Sequence, residues 1–410
     1  MRRTPVRKKR KDVLQLRAPD RHRDSAELFD LLGKVFSGAG YYRFRDECRE
    51  HYVNHSHYDW NVSRIGVLDG RTVTHYGVWR YWMRIGASRV RVGGIGAVAT
   101  DGDCRKRGFM AQTIHATLDA MHQGGYDMTM LFGVPNFYHR FGYVRAWPGQ
   151  EYVIRVEDLP KGRPGPTPRR LHAFVRDDLA TMYNREYARL TGTAVRPTYR
   201  SSRRRKGQWE HYTWGDARGR TLGYVTCCRR DGKFWCYESC GEVEEALGVL
   251  AVLARRWDYR EVRFHSVHYN HPLVRRLRRG TCSAEVHYRR SGGAMIRTVN
   301  LESALRRMCR ELSARLRRSN LAGWRGKLLM ADAREKATLV IDRSKVRVAE
   351  AQKTKHTLRG GDEVVQLLIG TDVPRETIEA AGMRLSGDAR DLVEVLFPAQ
   401  HPMLSPWDGY

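Results

Sequence analysis

Residues 94–111 read Gly94-Ile95-Gly96-Ala97-Val98-Ala99-Thr100-Asp101-Gly102-Asp103-Cys104-Arg105-Lys106-Arg107-Gly108-Phe109-Met110-Ala111. The first third is an unbroken apolar run without helical spacing, so Ile95 to Thr100 reads as a strand that ends at a polar loop. Beyond the loop, Met110, Ile114, Leu118 and Met121 recur on one face of a helix, and Gly124-Gly125 stops it. Three phosphate-binding templates compete here. Gly94, Gly96 and Ala99 spell a dinucleotide fingerprint, but that motif must open a helix, and these residues lie inside a strand. A Gly-x4-Gly-Lys-Ser/Thr run is absent from the chain. What remains is Arg105-x-x-Gly108 at the start of a helix, where backbone N–H groups and the positive end of the dipole favour a pyrophosphate. Gly108 lets the backbone approach closely, and Lys106 and Arg107 add charge.

Upstream, Leu28, Leu31, Leu32, Val35 and Phe36 mark an amphipathic helix, with Asp24 and Glu27 as a capping pair at its start. After a polar stretch from His51 to Asn61, Ile65 to Leu68 and Thr72 to Ile85 flank Asp69-Gly70, the signature of an antiparallel hairpin. Downstream come a short strand, Met128 to Phe132, and the aromatic segment Phe137-Tyr138-His139-Arg140-Phe141-Gly142-Tyr143. Four prolines between 160 and 168 read as a linker. A weaker copy of the same order follows: a helix from Leu171 to Tyr183, a hairpin through Asp231-Gly232, a helix from Glu242 to Trp257 and a strand from Val262 to Val267. From Ile296 the pattern changes again. A helix carrying Leu301, Leu305, Met308, Leu312 and Leu316 precedes strands at 327–330, 338–341 and 346–348 and helices at 363–369, 375–381 and 388–396. The fold class is therefore α+β with mixed sheets, in a multidomain chain.

The 410 residues carry 74 Lys plus Arg against 45 Asp plus Glu, a net charge of +29. Such a charge attracts phosphates. The densest basic runs, Arg2 to Lys11 and Arg203 to Lys206, lack apolar periodicity and read as solvated segments. Zinc-finger spacing, a basic region before heptads and an RNA-recognition signature are all missing, so nucleic acid is not the expected partner. No apolar run approaches the roughly 18 residues of a membrane span, and no apolar signal follows the basic start. With eight scattered cysteines, which suit reduced thiols, a cytoplasmic location is expected.

In this order, Val98-Ala99-Thr100, Arg105-x-x-Gly108, the helix, the strand and Phe137 to Tyr143 resemble the acetyl-CoA-binding core of the GNAT N-acetyltransferases. The three-part layout resembles the Eis-like (enhanced intracellular survival) branch, which joins a catalytic GNAT domain, a second GNAT-like domain and a sterol-carrier-like domain. The resemblance implies a basic disordered tail over 1–24, a catalytic domain over 25–150, a second domain without cofactor over 151–295 and a sterol-carrier-like domain over 296–410. It also implies an enzyme that transfers acetyl from acetyl-CoA to a primary amine, an aminoglycoside, a lysine or another amine, by direct transfer in a ternary complex without a metal. Tyr138 would be the general acid toward the departing thiolate, and the carboxylate of Tyr410, at the end of Pro406-Trp407-Asp408-Gly409-Tyr410, the base toward the amine. Val98, Ala99 and Thr100 would hold the pantetheine arm. Arg105, Lys106, Arg107, Gly108, Phe109, Met110 and Ala111 would hold the pyrophosphate, and Gly133 and Val134 complete the cofactor set. Met110 departs from the usual Gly or Ala. A hexamer is the assembly that the resemblance implies.

In the second domain, Cys240-Gly241-Glu242-Val243-Glu244-Glu245 opens the equivalent helix with carboxylates, which would repel a pyrophosphate. Cys227, Cys228, Cys236 and Cys240 lack paired zinc spacing and read as reduced thiols, while His51, His55 and His57 read as loop histidines. Asp408 and the terminal carboxylate would make the acceptor pocket acidic against the basic field. The competing reading is a non-catalytic protein that binds nucleic acid or lipid on a degenerate acetyltransferase scaffold.

Overall fold

A computed structural model describes residues 13–37, 45–46, 48–49, 57–159, 166–171, 175–197, 199–200, 209–289 and 292–408. The runs Arg2 to Lys11 and Arg203 to Lys206, and His51, His55, Pro160, Pro164 and Tyr410, lie outside the described residues. The chain divides into two compact units, residues up to 80 with 93–124, and residues 81–92 with 125–410.

In the first unit, β1 (Gln15–Arg17) pairs antiparallel with the later β2, and α1 (Ser25–Val35) buries Leu28, Leu31 and Leu32. Asp24 does not cap α1. Its carboxylate accepts instead from Arg17 Nη2 at 2.9 Å and from the Asp20 amide at 2.7 Å, because a guanidinium binds a carboxylate more strongly than one amide does. Glu27, the other half of the expected pair, accepts from the amide and hydroxyl of Thr72, both at 3.2 Å. β2 (Arg64–Leu68) and β3 (Arg71–Ile85) meet at Asp69-Gly70, whose φ values of 49° and 78° are the two positive angles that a tight hairpin turn requires. β4 (Ser88–Thr100) starts seven residues earlier than the apolar run indicates, since Arg89 and Arg91 alternate with the buried Val90 and Val92 in a two-residue period. The β3–β4 hairpin has its base in the first unit and its tip, residues 81–92, in the second. α2 (Phe109–Gln123) completes the first unit.

The second unit continues with β5 (Met128–Gly133), β6 (Val144–Arg145) and β7 (Gly149–Arg155). Then come β8 (Arg169–Arg170), α3 (Asp177–Glu186), β9 (Glu210–Gly215), β10 (Thr221–Arg230), β11 (Lys233–Cys240) and α4 (Val243–Arg256). β12 (Glu261–His265), α5 (Pro272–Leu277), β13 (Ser283–His287) and β14 (Gly293–Thr298) follow. The helix expected from Leu171 begins only at Asp177, because the Leu171 amide is bonded to the His211 carbonyl at 2.8 Å and Val175-Arg176 pair with Tyr199-Arg200. One sheet runs β13-β7-β12-β11-β10-β9-β8, antiparallel except for β11 and β12, which are parallel and joined through α4. α4 buries Leu247, Leu250 and Leu253 against it. β14 straddles the boundary expected at residue 295 and pairs antiparallel with both β5 and β6.

The last part begins with α6 (Leu301–Arg317), capped by Asn300, which accepts from the Ser303 amide at 2.8 Å. Its Leu301, Leu305, Met308, Leu312 and Leu316 are fully buried. β15 (Arg325–Ala331), β16 (Lys336–Asp342), β17 (Lys345–Ala349), β18 (His356–Arg359) and β19 (Arg384–Ser386) form a sheet in the order β17-β16-β15-β18-β19. α7 (Val364–Ile369), α8 (Pro374–Ala380) and α9 (Ala389–Leu396) close it. β18 and β19 are invisible to periodicity, since across both strands only His356 and Leu358 are buried. All eight cysteines are free thiols, and Cys227, Cys228, Cys236 and Cys240 are buried.

Candidate functional site

In the first unit, β4 leads through a short 3-10 turn, Gly102–Cys104, into the basic loop. Lys106 and Gly108 take left-handed φ values of 61° and 78°, and a Cβ on Gly108 would meet nothing within 4 Å. Gly108 occupies the cap position of α2 and brings no side chain to it. The first helical bond runs from the Gln112 amide to the Gly108 carbonyl at 3.2 Å, so the N–H groups of Phe109, Met110 and Ala111 have no partner within the helix. Arg105, Lys106 and Arg107 are exposed, with the Arg107 guanidinium 4.6 Å from the centre of the Phe109 ring. The helix start thus combines a bare glycine cap, amides without helical partners and exposed cations, with open space in front of the cap, features that suit an anion. Met110, on the stripe with Ile114, Leu118 and Met121, is less buried than those three. Phe109 beside it is buried, packed with Leu68, Val73 and Cys104, and Met110 is half-buried.

Within β4, Ala99 is buried and Val98 and Thr100 are half-buried. Ala97 just before them has φ 47°, a conformation costly for a non-glycine residue. His75 of β3 braces it. Its Nδ1 lies 2.8 Å from the Ala97 carbonyl oxygen, and its Nε2 lies 2.9 Å from the Tyr58 hydroxyl. A carbonyl only accepts, so Nδ1 carries the proton and Tyr58 donates to Nε2. Burial holds this imidazole neutral by lowering its pKa to about 4. Sequence reasoning passed over His75; its signal is a histidine on a strand whose neighbours Val73 and Gly77 share its face.

In the second unit, Tyr138 opens a 3-10 turn that ends at Gly142, in the left-handed conformation. The ring is 8% exposed, edge-on to Phe137 at 4.9 Å and near Tyr143 at 6.0 Å. Burial raises the phenol to about 12, and no described residue bonds its hydroxyl. Tyr138 is therefore a protonated donor at neutral pH. Gly133 at the end of β5 lies against it, since a Cβ there would come within 2.7 Å of Tyr138 Cδ2. Val134 is exposed. His57 is exposed as well.

The tail departs furthest from expectation. Asp408 is not an open acidic wall: its carboxylate accepts from Arg196 Nε at 2.6 Å and Nη2 at 2.9 Å. The same guanidinium donates to Glu238 through Nη1 at 2.7 Å and Nη2 at 2.6 Å, and lies 3.6 Å from the centre of the Tyr183 ring. Burial works against the Glu238 charge, but Arg196 outweighs it and holds the carboxyl below its usual range. In α4, Glu242 caps the helix by accepting from the Glu245 amide at 2.9 Å, so an acidic side chain fills the position that Gly108 leaves open in α2. A cavity of about 430 Å³ near α8, lined by Arg145, Tyr288, Glu363, Asp372 and Glu376 among others, contains none of the predicted site residues.

Residues 20–146 match the family model described as the acetyltransferase (GNAT) domain. No curated protein matches the sequence. Among solved structures, the chain is similar to a probable N-acyltransferase from Enterococcus faecalis, at 17% identity and a TM-score of 0.71, over 98% of this chain and 100% of the other. It is also similar to a GCN5-related N-acetyltransferase from Anabaena variabilis, at 16% identity and a TM-score of 0.73, over 97% and 100%. Eis1 from Mycobacterium abscessus is similar at 16% identity and a TM-score of 0.65, again over 97% and 100%. At these identities the likeness shows a shared fold. The chain carries a GNAT acetyltransferase domain.

Proposed function

We propose that this acyltransferase moves the acetyl group of acetyl-CoA to a primary amine by direct attack in a ternary complex. The observation that carries this reading is the start of α2 inside the matched GNAT domain, with a glycine cap, amides without helical partners and three exposed cations. Arg105 to Ala111 would bind the pyrophosphate, Val98 to Thr100 the pantetheine arm, and Gly133 and Val134 the remainder of the cofactor. The attacking amine loses a proton to the Tyr410 carboxylate, its nitrogen forms the new bond to the acetyl carbon, and the carbon–sulfur bond breaks. Tyr138 donates toward the departing thiolate; its burial keeps that proton in place. No metal takes part.

The acceptor is an aminoglycoside, a lysine side chain or a related amine. We further read residues 25–150 as the catalytic domain, 151–295 as a second GNAT-like domain without cofactor, and 296–410 as a sterol-carrier-like domain, in a cytoplasmic hexamer. The carboxylate cap of α4 supports the absence of cofactor in the second domain. No helix of the described residues is long and apolar enough to cross a membrane. The test is thiol release from acetyl-CoA over a panel of amines, with Tyr138→Phe and a chain extended by a few residues after Tyr410. Activity lowered by both changes is expected. Unchanged turnover in Tyr138→Phe removes the acid, unchanged turnover in the extended chain removes the base, and no saturable acetyl-CoA binding removes the whole reading.

A further inference from the structure

β13 is the outermost strand of its seven-stranded sheet, pairing with β7 alone among the described residues. All five of its residues are exposed, so apolar burial adds little to its backbone ladder. Its sequence, Ser283-Ala284-Glu285-Val286-His287, puts Glu285 and His287 two residues apart and therefore on one face. The register sets Glu285 directly opposite Glu151 of β7, and Glu151 directly opposite His265 of β12. Three neighbouring strands thus line up two carboxylates and an imidazole, with the His287 imidazole one step along. Opposite His287 stands Gly149, which brings no side chain against it.

Carboxylates directly opposite each other on paired strands repel. The structure sets a histidine and an arginine against Glu151. His265, its ring edge-on to Trp235 and Tyr237, has Nδ1 3.2 Å from Glu151 Oε1, and because a carboxylate only accepts, that nitrogen donates. Arg263 is further off, with Nη1 4.0 Å from Glu151 Oε2 and Nη2 turned to Glu261 at 3.3 Å. On the other side, His287 Nε2 lies 3.7 Å from Glu285 Oε2, too far for a hydrogen bond. That gap is close to the roughly 3.3 Å between two donor atoms on one tetrahedral zinc with bonds of about 2.0 to 2.1 Å. One donor atom from each of Glu151, Glu285 and His287 lies within 4.8 Å of the other two. The Glu285 and His287 side chains are 50% and 59% exposed, which leaves them room to turn and close the remaining distance. An imidazole among the donors favours zinc or a similar transition metal over magnesium and calcium, which take oxygen ligands. Charges on an edge strand ordinarily keep it from pairing with another chain, a task that needs no carboxylates in register.

We propose that Glu151, Glu285 and His287 bind a zinc-like divalent cation that ties the edge strand β13 to β7, with His265 holding Glu151 from the far side. The site shares no residue with the acyl-transfer set, and its test does not depend on that activity. Zn2+ titrated into the metal-free full chain should bind saturably in calorimetry. Hydrogen exchange should then slow at least tenfold at the β13 amides that pair with β7. Glu285→Gln and His287→Asn alter exposed positions, so the metal-free melting temperature should stay as it is. Each should weaken this binding at least tenfold and abolish the slowing. Equal binding by both variants and the unaltered protein places the zinc elsewhere, on thiols or other surface groups, and overturns the site. Absence of saturable binding overturns it too and leaves edge charges only. Binding lost in the variants without slower exchange in the unaltered protein overturns the tie between the strands. Mg2+ that slows exchange equally at the same concentration overturns the choice of ion.

Discussion

His75 donates from Nδ1 to the carbonyl oxygen of Ala97 at 2.8 Å, and so holds in place a non-glycine residue with φ 47° one step before the strand segment 98–100. The neutral ring also accepts from Tyr58 at Nε2, so protonation there ends the Tyr58 bond and puts a charge in a buried site, which makes the arrangement sensitive to acid. The unfolded chain takes up this proton near pH 6.5, the folded chain only near about 4. Between these values the unfolded state holds more protons, so stability falls as pH drops through that window, by about 3 kcal/mol for this group. Melting temperature against pH should show the decline. His75→Phe should flatten part of it, and at neutral pH should cost about 1–3 kcal/mol for the unsatisfied Ala97 carbonyl.

Tyr138 leads to the opposite expectation at alkaline pH. With its phenol raised to about 12 by burial, the proton stays on through about pH 10, where an ordinary tyrosine would be half ionised. The kcat profile should therefore show no alkaline limb from this residue below about pH 11. A limb near pH 10 that vanishes in Tyr138→Phe would contradict the buried, protonated donor.

Gly133→Ala should move that donor without touching it chemically. The added methyl would sit 2.7 Å from Tyr138 Cδ2, 2.8 Å from Leu131 Cδ1 and 3.1 Å from Met295 Sδ. Relief requires shifting the tyrosine ring, at about 1–3 kcal/mol of stability. Turnover should drop, and KM for acetyl-CoA should rise as well because Gly133 is also proposed to hold the cofactor; steady-state kinetics beside a melting curve will show both.

At Gly108 the balance is reversed. No atom lies within 4 Å of the point a Cβ would occupy, so Gly108→Ala costs only the left-handed backbone strain, about 1–2 kcal/mol. Gly108→Asp adds a carboxylate where the pyrophosphate is proposed to bind. Calorimetry should find acetyl-CoA affinity reduced at least tenfold in Gly108→Asp relative to Gly108→Ala, with similar melting temperatures. Equal affinities would remove the loop from the binding site.

Much of the molecule is readable along the chain because its signals are local. The turn at Asp69-Gly70, the glycine stop after α2, the stripe Leu301 to Leu316 and the basic loop each depend on neighbours within a few residues. Several misses come from competition by a partner outside the local run. Asp24 gives up its cap to Arg17, and Glu27 turns to Thr72. β14 leaves the segment it follows and joins β5 and β6, about 150 residues upstream, since pairing depends on which open edge is available and not on spacing.

The candidate site divides along the same line. Residue types and their order identify the Gly-capped helix start and the aromatic segment around Tyr138, because the chemistry of an N-terminal amide cluster or a phenol is written in a short stretch of sequence. Whether a side chain is buried, neutral or already claimed by a partner depends on groups far apart in the chain. His75 is neutral because folding buries it away from water, and Asp408 is claimed by Arg196, 212 residues away, instead of being open to a cationic acceptor. Charge state and direction follow from desolvation and from bonds across that distance, and folding alone brings those groups together.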